Sequence, residues 1–381
     1  MQFIDLKQQY HVLQDEINAR LQTVLEQQAF IQGPEVRELE RELAAFCDAR
    51  RVVTCANGTD ALQLAMMALG IGPGDAVFVP SFTYTATAEV ILLLGARPIF
   101  VDSDPHSFNL DFGSVEAAVL DVQAEGKLRP AALLTVDLFG QPVDYHRARA
   151  ISDRFGLAFI SDAAQGFGAS FAGRRIGSGL ADVTTTSFFP AKPLGCYGDG
   201  GAIFTESDEI ADVIRSICLH GKGQEKYDVV RVGVNSRLDT IQAAILLPKL
   251  AIFEQELERR HEVANAYSAA LSSVVATPQL PAGDDRFAWA QYTIKVAQRD
   301  VVQARLKDAG IPSNIYYPRP MHLQPAYLEF GGGEGSLPVA ERLSSEVLSL
   351  PMHPYLSDAD VDFISSAVIA AVGSTADTPQ G

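Results

Sequence analysis

From residue 51 to about residue 220, short β-branched or aromatic runs alternate with helical segments, and no other feature limits the fold as tightly. Strand candidates fall at 51–54, 76–80, 98–101, 131–136, 158–162, 183–188 and 201–205, with helical segments such as 59–69, 84–94, 114–123 and 144–155 between them. Several strands are apolar almost without interruption, as expected where a sheet is covered on both faces. The expectation is an α/β unit, a mostly parallel seven-stranded sheet flanked by helices. Ligands of such sheets sit at the carboxyl ends of the strands, so the residues just after each strand carry the most information.

Beyond residue 238 the pattern changes. A helical stretch runs from 238 to about 271, and Pro248 is expected to kink it. A strand at 291–296 and helices at 300–309, 337–348 and 358–371 then suggest a smaller α+β domain. The expected division is a large domain at 1–245 and a C-terminal domain at 246–381. Residues 331–335, Gly-Gly-Gly-Glu-Gly, read as a mobile loop, and 374–381 as a frayed tail.

Composition narrows the function classes. Hydrophobic residues make up 47% of the 381, ample for a core and too many for a disordered chain. A net charge of −17 repels a phosphate backbone, so no nucleic-acid partner is expected. A small phosphorylated ligand remains compatible, because backbone N–H groups hold phosphate locally. Cys47, Cys55, Cys196 and Cys218 show no metal or disulfide spacing, and no His-Glu-x-x-His occurs, so no metal site is expected. The first residues lack a signal pattern and no apolar stretch spans a bilayer. A cytoplasmic protein without a membrane partner is expected.

Three stretches carry chemistry. Asn57-Gly58-Thr59-Asp60 follows the first strand and opens a helix, which suits either a phosphate or ordinary capping by Asn57 or Thr59. Asp162-Ala-Ala-Gln165 ends a strand with a carboxylate able to pair with a protonated ring nitrogen, or to cap a turn. In the third, Ser187-Phe-Phe-Pro-Ala-Lys192-Pro-Leu-Gly-Cys-Tyr-Gly-Asp-Gly-Gly201, a lysine stands between two prolines beside aromatic residues. A desolvated lysine has a lowered pKa and forms a Schiff base with an aldehyde cofactor. Phosphate cradle, strand-end aspartate and buried lysine together make the layout of a pyridoxal phosphate (PLP) site.

On these stretches the chain resembles the DegT/StrS nucleotide-sugar aminotransferases. Further landmarks are Phe3-Ile-Asp-Leu, Gly33-Pro-Glu-Val, Pro80-Ser-Phe-Thr-Tyr-Thr-Ala-Thr87 and Gly233-Val-Asn-Ser-Arg-Leu-Asp239. The resemblance implies the PLP-dependent transferase fold of type I, with Lys192 holding PLP covalently and moving protons. It implies that Asp162 pairs with the ring nitrogen, Gln165 bonds the phenolic oxygen and Tyr84 stacks on the ring. Gly58, Thr59, Asp60 and Ser187 would hold the phosphate, joined by Asn235 of a second copy, which requires a homodimer. Members of the related sugar dehydratases carry histidine in place of the lysine, and Lys192 argues against that activity.

Gly233-Val-Asn-Ser-Arg237 is similar to the family members that aminate a 3-oxo sugar, and several further runs are similar to those acting on a UDP-linked 3-oxo N-acetylhexuronate. The reaction implied uses L-glutamate as donor and a UDP-sugar as acceptor, with pyridoxamine phosphate between the halves, in surface-polysaccharide (O-antigen) biosynthesis. An acceptor linked to dTDP, as a 3-oxo-6-deoxy or 4-keto sugar, is the alternative. Arg237 is the first candidate for an anionic substrate group, against a structural salt bridge. His220, Tyr316 and Tyr317 are further substrate candidates. Tyr316 stands where the uronate-specific members have histidine, which bears on sugar selectivity.

Overall fold

Seven strands build the expected sheet, in the spatial order β1-β9-β8-β5-β4-β2-β3. They are β1 (Arg51–Cys55), β2 (Asp75–Pro80), β3 (Arg97–Val101), β4 (Arg129–Val136), β5 (Ala158–Asp162), β8 (Val183–Ser187) and β9 (Gly201–Thr205), while β6 (Ser170–Phe171) and β7 (Arg174–Arg175) form a separate small hairpin. Strand β9 pairs antiparallel with β1 and β8; every other pairing in the sheet is parallel. This computed structural model describes residues 1–225, 227–283 and 285–376, with side chains described as far as Gly373.

The helices are α1 (Leu6–Gln27), α2 (Pro34–Cys47), α3 (Gly58–Ala68), α4 (Ala86–Leu93), α5 (Phe112–Glu125), α6 (Tyr145–Phe155), α7 (Asp208–Cys218), α8 (Thr240–Leu271), α9 (Arg299–Asp308), α10 (Pro338–Glu346) and α11 (Asp358–Ala376). Strand β2 is buried at all six positions, as covering on both faces requires. One face of the sheet meets α2, α5, α6 and the first half of α8, where Phe167 and Phe253 stack with ring centroids 5.8 Å apart. The other face meets α3, α4 and α7.

Helix α8 continues through Pro248 from Thr240 to Leu271. Proline removes one backbone donor there, but every residue from Ala243 to Leu250 is buried, and that packing outweighs the loss. The expected boundary at residue 245 falls near the start of this helix. Its apolar residues up to Leu257 pack in the sheet core, and those from Val263 onward pack with β10 (Tyr292–Lys295), β11 (Val347–Leu350), α9 and α11.

Two expectations are corrected. Residues 337–348 are not one helix: α10 ends at Glu346 and β11 follows, paired antiparallel with β10. A short apolar run reads alike as helix or buried strand, and the available pairing edge decides. The tail expected at 374–381 starts too early, because α11 runs to Ala376; residues 377–381 lie outside the described residues. Among the described residues no helix is long and apolar enough to cross a membrane, and no cluster of His, Cys, Asp or Glu is arranged to hold a metal.

Candidate active site

The first two sequence stretches both sit at carboxyl ends of strands, and the third begins at one. Asn57 is the cap of α3: its Oδ1 accepts from the Asp60 N–H at 2.8 Å. Capping thus uses the third amide of the helix and leaves those of Gly58 and Thr59 without an intrahelical acceptor. The capping reading is observed, and the two remaining amides leave the helix start able to receive an anion. Ser187, at the end of β8, packs against it, for a Cβ on Gly58 would stand 2.6 Å from the Ser187 Cβ. From the adjoining strand, a Cβ on Gly201 would meet the Asn57 carbonyl oxygen at 2.4 Å.

Asp162 ends β5 and is buried. Its Oδ1 accepts from the Ala164 N–H at 3.0 Å, and Oδ2 has no hydrogen-bond partner among the described residues. Burial pushes this carboxyl up, opposed by the Ala164 amide and the nearby Lys192 charge. For Lys192 the signs reverse: burial pushes the amine below the ordinary lysine range, and the Asp162 charge opposes. The lysine backbone is fixed by its N–H to the Phe189 carbonyl at 2.9 Å, while its Nζ has no hydrogen bond or ion pair among the described residues. The loop that carries it is latched by Lys249, fully buried, whose Nζ donates to the Gly195 carbonyl at 2.6 Å and lies 4.0 Å from the Tyr197 ring centroid.

Gln165 is held at both ends of its amide. Oε1 accepts from the Phe139 N–H at 2.6 Å and Nε2 donates to the Tyr317 hydroxyl at 3.1 Å. Tyr317 belongs to an aromatic group, with Phe82 at 6.2 Å, Tyr84 at 6.3 Å and Tyr316 at 5.8 Å between ring centroids. Tyr84 is exposed, so one ring at this mouth is free to stack on a ligand. The Tyr316 hydroxyl accepts from Asn314 Nδ2 at 3.2 Å. Burial pushes both the Tyr316 and Tyr317 hydroxyls up, so each stays protonated near neutral pH.

His220, Asn235 and Arg237 lie elsewhere on the chain, in and beside a hairpin that joins α7 to α8. The Leu219↔Asn235 bridge closes it, and the His220 N–H donates to the Val234 carbonyl at 3.0 Å. Among the described residues no hydrogen bond joins these three to Lys192, Asp162 or Gln165. The link to the site runs through Ser236, whose Oγ accepts from the Ala56 N–H at 3.1 Å, one residue before Asn57. Arg237 is half-buried and has no ion pair among the described residues.

Two supports of the site were not anticipated: Lys249, and Asp137 at the end of β4. Register places Val136 opposite Asp162, so Asp137 is a second carboxylate at a strand end beside the first. That position after a predicted strand was the available signal.

The sequence pattern of the DegT/DnrJ/EryC1/StrS aminotransferase family matches residues 11–369. The chain is 49% identical over 369 residues to the UDP-2-acetamido-2-deoxy-3-oxo-D-glucuronate aminotransferase of Pseudomonas aeruginosa, covering 97% of this chain and 99% of that one. A solved DegT DnrJ EryC1 StrS aminotransferase from Brucella abortus superposes with a TM-score of 0.96 at 52% identity, covering 98% of this chain and 100% of that one. NtdA from Bacillus subtilis, solved with bound cofactor PMP, superposes with a TM-score of 0.87 at 29% identity, covering 97% and 83%.

Proposed function

The chain belongs to the DegT/DnrJ/EryC1/StrS aminotransferase family, and from that premise we propose that it transfers the amino group of L-glutamate to C3 of UDP-2-acetamido-2-deoxy-3-oxo-D-glucuronate, for a bacterial surface polysaccharide. The observation that carries this reading is the unpartnered Lys192 amine beside the half-satisfied Asp162 carboxylate. The 49% identity to the P. aeruginosa enzyme supports the choice of sugar.

PLP is the cofactor, and when bound it supplies the electron sink that lets an amino group pass between carbon skeletons. The residues fit it: two free amides at a helix start for a phosphate, a bare carboxylate oxygen for a cationic ring nitrogen, and an unpartnered amine. Gly58 and Thr59, through their free amides, and Ser187 would hold the phosphate, whereas the Asp60 amide expected to join them is taken by Asn57 Oδ1. Asp162 keeps the proton on the ring nitrogen, a pairing that offsets the burial acting on its carboxyl. Gln165 has one N–H committed to Tyr317 and offers the other to the phenolic oxygen. Tyr84 covers the ring face.

Lys192 anchors the cofactor and carries protons. It takes one from Cα of glutamate and returns one to C3 of the sugar. Its lowered pKa raises the share of free base that such a proton acceptor needs near neutral pH. Arg237 grips an anionic group of the UDP-sugar bidentately, and His220, Tyr316 and Tyr317 are further contacts for the sugar. A second copy supplies Asn235, so the working unit is a homodimer; the exposed apolar side chains of the 220–235 hairpin support this. The compartment is the cytoplasm, which suits four unpaired, buried cysteines.

The test is stoichiometry. With L-glutamate and the keto sugar, 2-oxoglutarate and the 3-amino sugar should form in equal amounts. Arg237→Gln should raise the KM for the sugar by about tenfold or more, the loss of a charged hydrogen-bonding pair, and leave the glutamate half-reaction intact. Equal damage to both halves would remove Arg237 from the sugar site.

A further inference from the structure

Asp137 is fully buried, at the turn between β4 and α6, and among the described residues has no hydrogen bond to the groups assigned to substrate. Its backbone N–H donates to the Asp162 carbonyl at 3.0 Å. Its Oδ1 accepts from the Val143 N–H at 2.9 Å, closing the turn that carries Phe139, and Oδ2 accepts from the Tyr145 hydroxyl at 2.8 Å. Tyr145 in turn shares a 2.7 Å hydrogen bond with Ser161 Oγ, next to Asp162. With the single Tyr145 proton directed at Asp137, Ser161 is the donor in that pair.

Two contacts show how closely this carboxylate backs the site. A Cβ on Gly166 would stand 2.4 Å from the Asp137 Cβ and 2.7 Å from its Oδ2, so only glycine fits beside Gln165. The turn that Asp137 closes holds Phe139 at a left-handed φ of 61°, and the Phe139 amide is the donor that fixes Gln165. The turn is also pinned by Asn109, whose Oδ1 accepts from Leu138 N–H and whose Nδ2 donates to the Gln141 carbonyl, each at 3.1 Å.

We infer that Asp137 is a positioning residue for the cofactor ring, holding Asp162 and Gln165 in place from behind and setting a second carboxylate behind the one that faces the ring nitrogen. The inference rests on the reading of Asp162 and Gln165 as ring contacts. The titratable groups facing Asp137 are Tyr145 from α6 and Asp162 from β5. Burial pushes the Asp137 carboxyl up to about 7, opposed by the Val143 amide and the Tyr145 hydroxyl, with the Asp162 charge adding to the rise. The charge on Asp137 acts on the ring through Asp162, to which its backbone N–H is bonded.

The experiment is a pH titration of the visible absorbance of the PLP-loaded enzyme, with PLP affinity measured alongside. Asp137→Asn keeps the shape: the new amide accepts from Val143, and the Tyr145–Ser161 bond can reverse to meet its N–H. The absorbance midpoint should fall by about one unit, the size of shift that loss of a neighbouring buried charge produces, and PLP should bind about tenfold more weakly. Tyr145→Phe, which removes one donor and keeps the turn, should move the midpoint the same way by less. An unchanged midpoint in whichever of these variants retains the parent's thermal midpoint would overturn the inference. Asp162→Asn is the control. If it moves the midpoint and the Asp137 variants do not, the inference fails alone; if none moves it, the ring assignment fails as well.

Discussion

Gly58 and Ser187 are packed so closely that a single added methyl cannot be placed between them: the Cβ of an alanine at 58 would lie 2.6 Å from that of Ser187. The start of α3 and the end of β8 are thereby brought together as one concave surface with two free amides. Gly58→Ala should push the two apart and weaken PLP binding by about tenfold or more, the equivalent of at least 1.4 kcal/mol. Equilibrium dialysis read by PLP absorbance measures this; unchanged affinity would take the phosphate away from this cradle.

Lys192→Met removes the amine proposed to carry protons at the reacting carbons. Turnover should fall by about 10²- to 10⁴-fold, the range that a general base contributes, and PLP should dialyse away freely. Because the amine has no hydrogen bond among the described residues and burial outweighs the favourable Asp162 charge, the cofactor-free variant should unfold at the same temperature as the parent or higher. Calorimetry of both cofactor-free proteins tests this, and a markedly lower temperature for the variant would show that the lysine has a structural bond.

Much of this site was legible in the sequence because its residues follow strands. Ala158–Asp162 and Gly201–Thr205 form strands with the boundaries expected from sequence, and Asp162 and the Lys192 loop follow from that register. What escaped was built from long-range pairing. β11 has an edge to pair with only because β10 lies beside it, and Lys249 looks like any helix lysine until Gly195 is placed over it. Asp137 is marked only by its neighbour in the sheet. Helices α1, α2 and α7 were not assigned from sequence either; α1 packs Leu13 and Ile17 on Ile245 of α8, a partner far along the chain.

His353 should make the protein sensitive to acid. Burial, and then the Arg260 charge, push its ring down from 6.5 to about 4. With the folded pKa below the unfolded one, the unfolded chain takes up the proton first. Stability is complete above about pH 6.5 and is lost as pH falls toward 4. The contribution is about 2–3 kcal/mol over that window. Urea unfolding of the parent and His353→Gln at pH 7 and pH 4.5 isolates it: the gap between the two should shift in favour of the variant at low pH, and a constant gap would contradict the assignment.

The hairpin between α7 and α8 exposes Val232 at 85% and Tyr227 at 87% of their surface, beside exposed Val229 and Val230. In the proposed homodimer such a run would be covered by the second copy. Val232→Glu should shift the protein from dimer toward monomer in sedimentation and weaken PLP binding with it, since Asn235 would come from the partner copy. Dimers of undiminished stability would place the interface elsewhere.

The most direct test of the account is a single turnover from the acceptor side. Enzyme converted to its pyridoxamine phosphate form with L-glutamate, and freed of excess donor, is mixed with UDP-2-acetamido-2-deoxy-3-oxo-D-glucuronate while absorbance is followed. The account predicts rapid return of the PLP absorbance, abolished in Lys192→Met and slowed in Arg237→Gln. No return with the UDP-linked uronate, together with return on adding a dTDP-linked keto sugar, would contradict the proposed substrate.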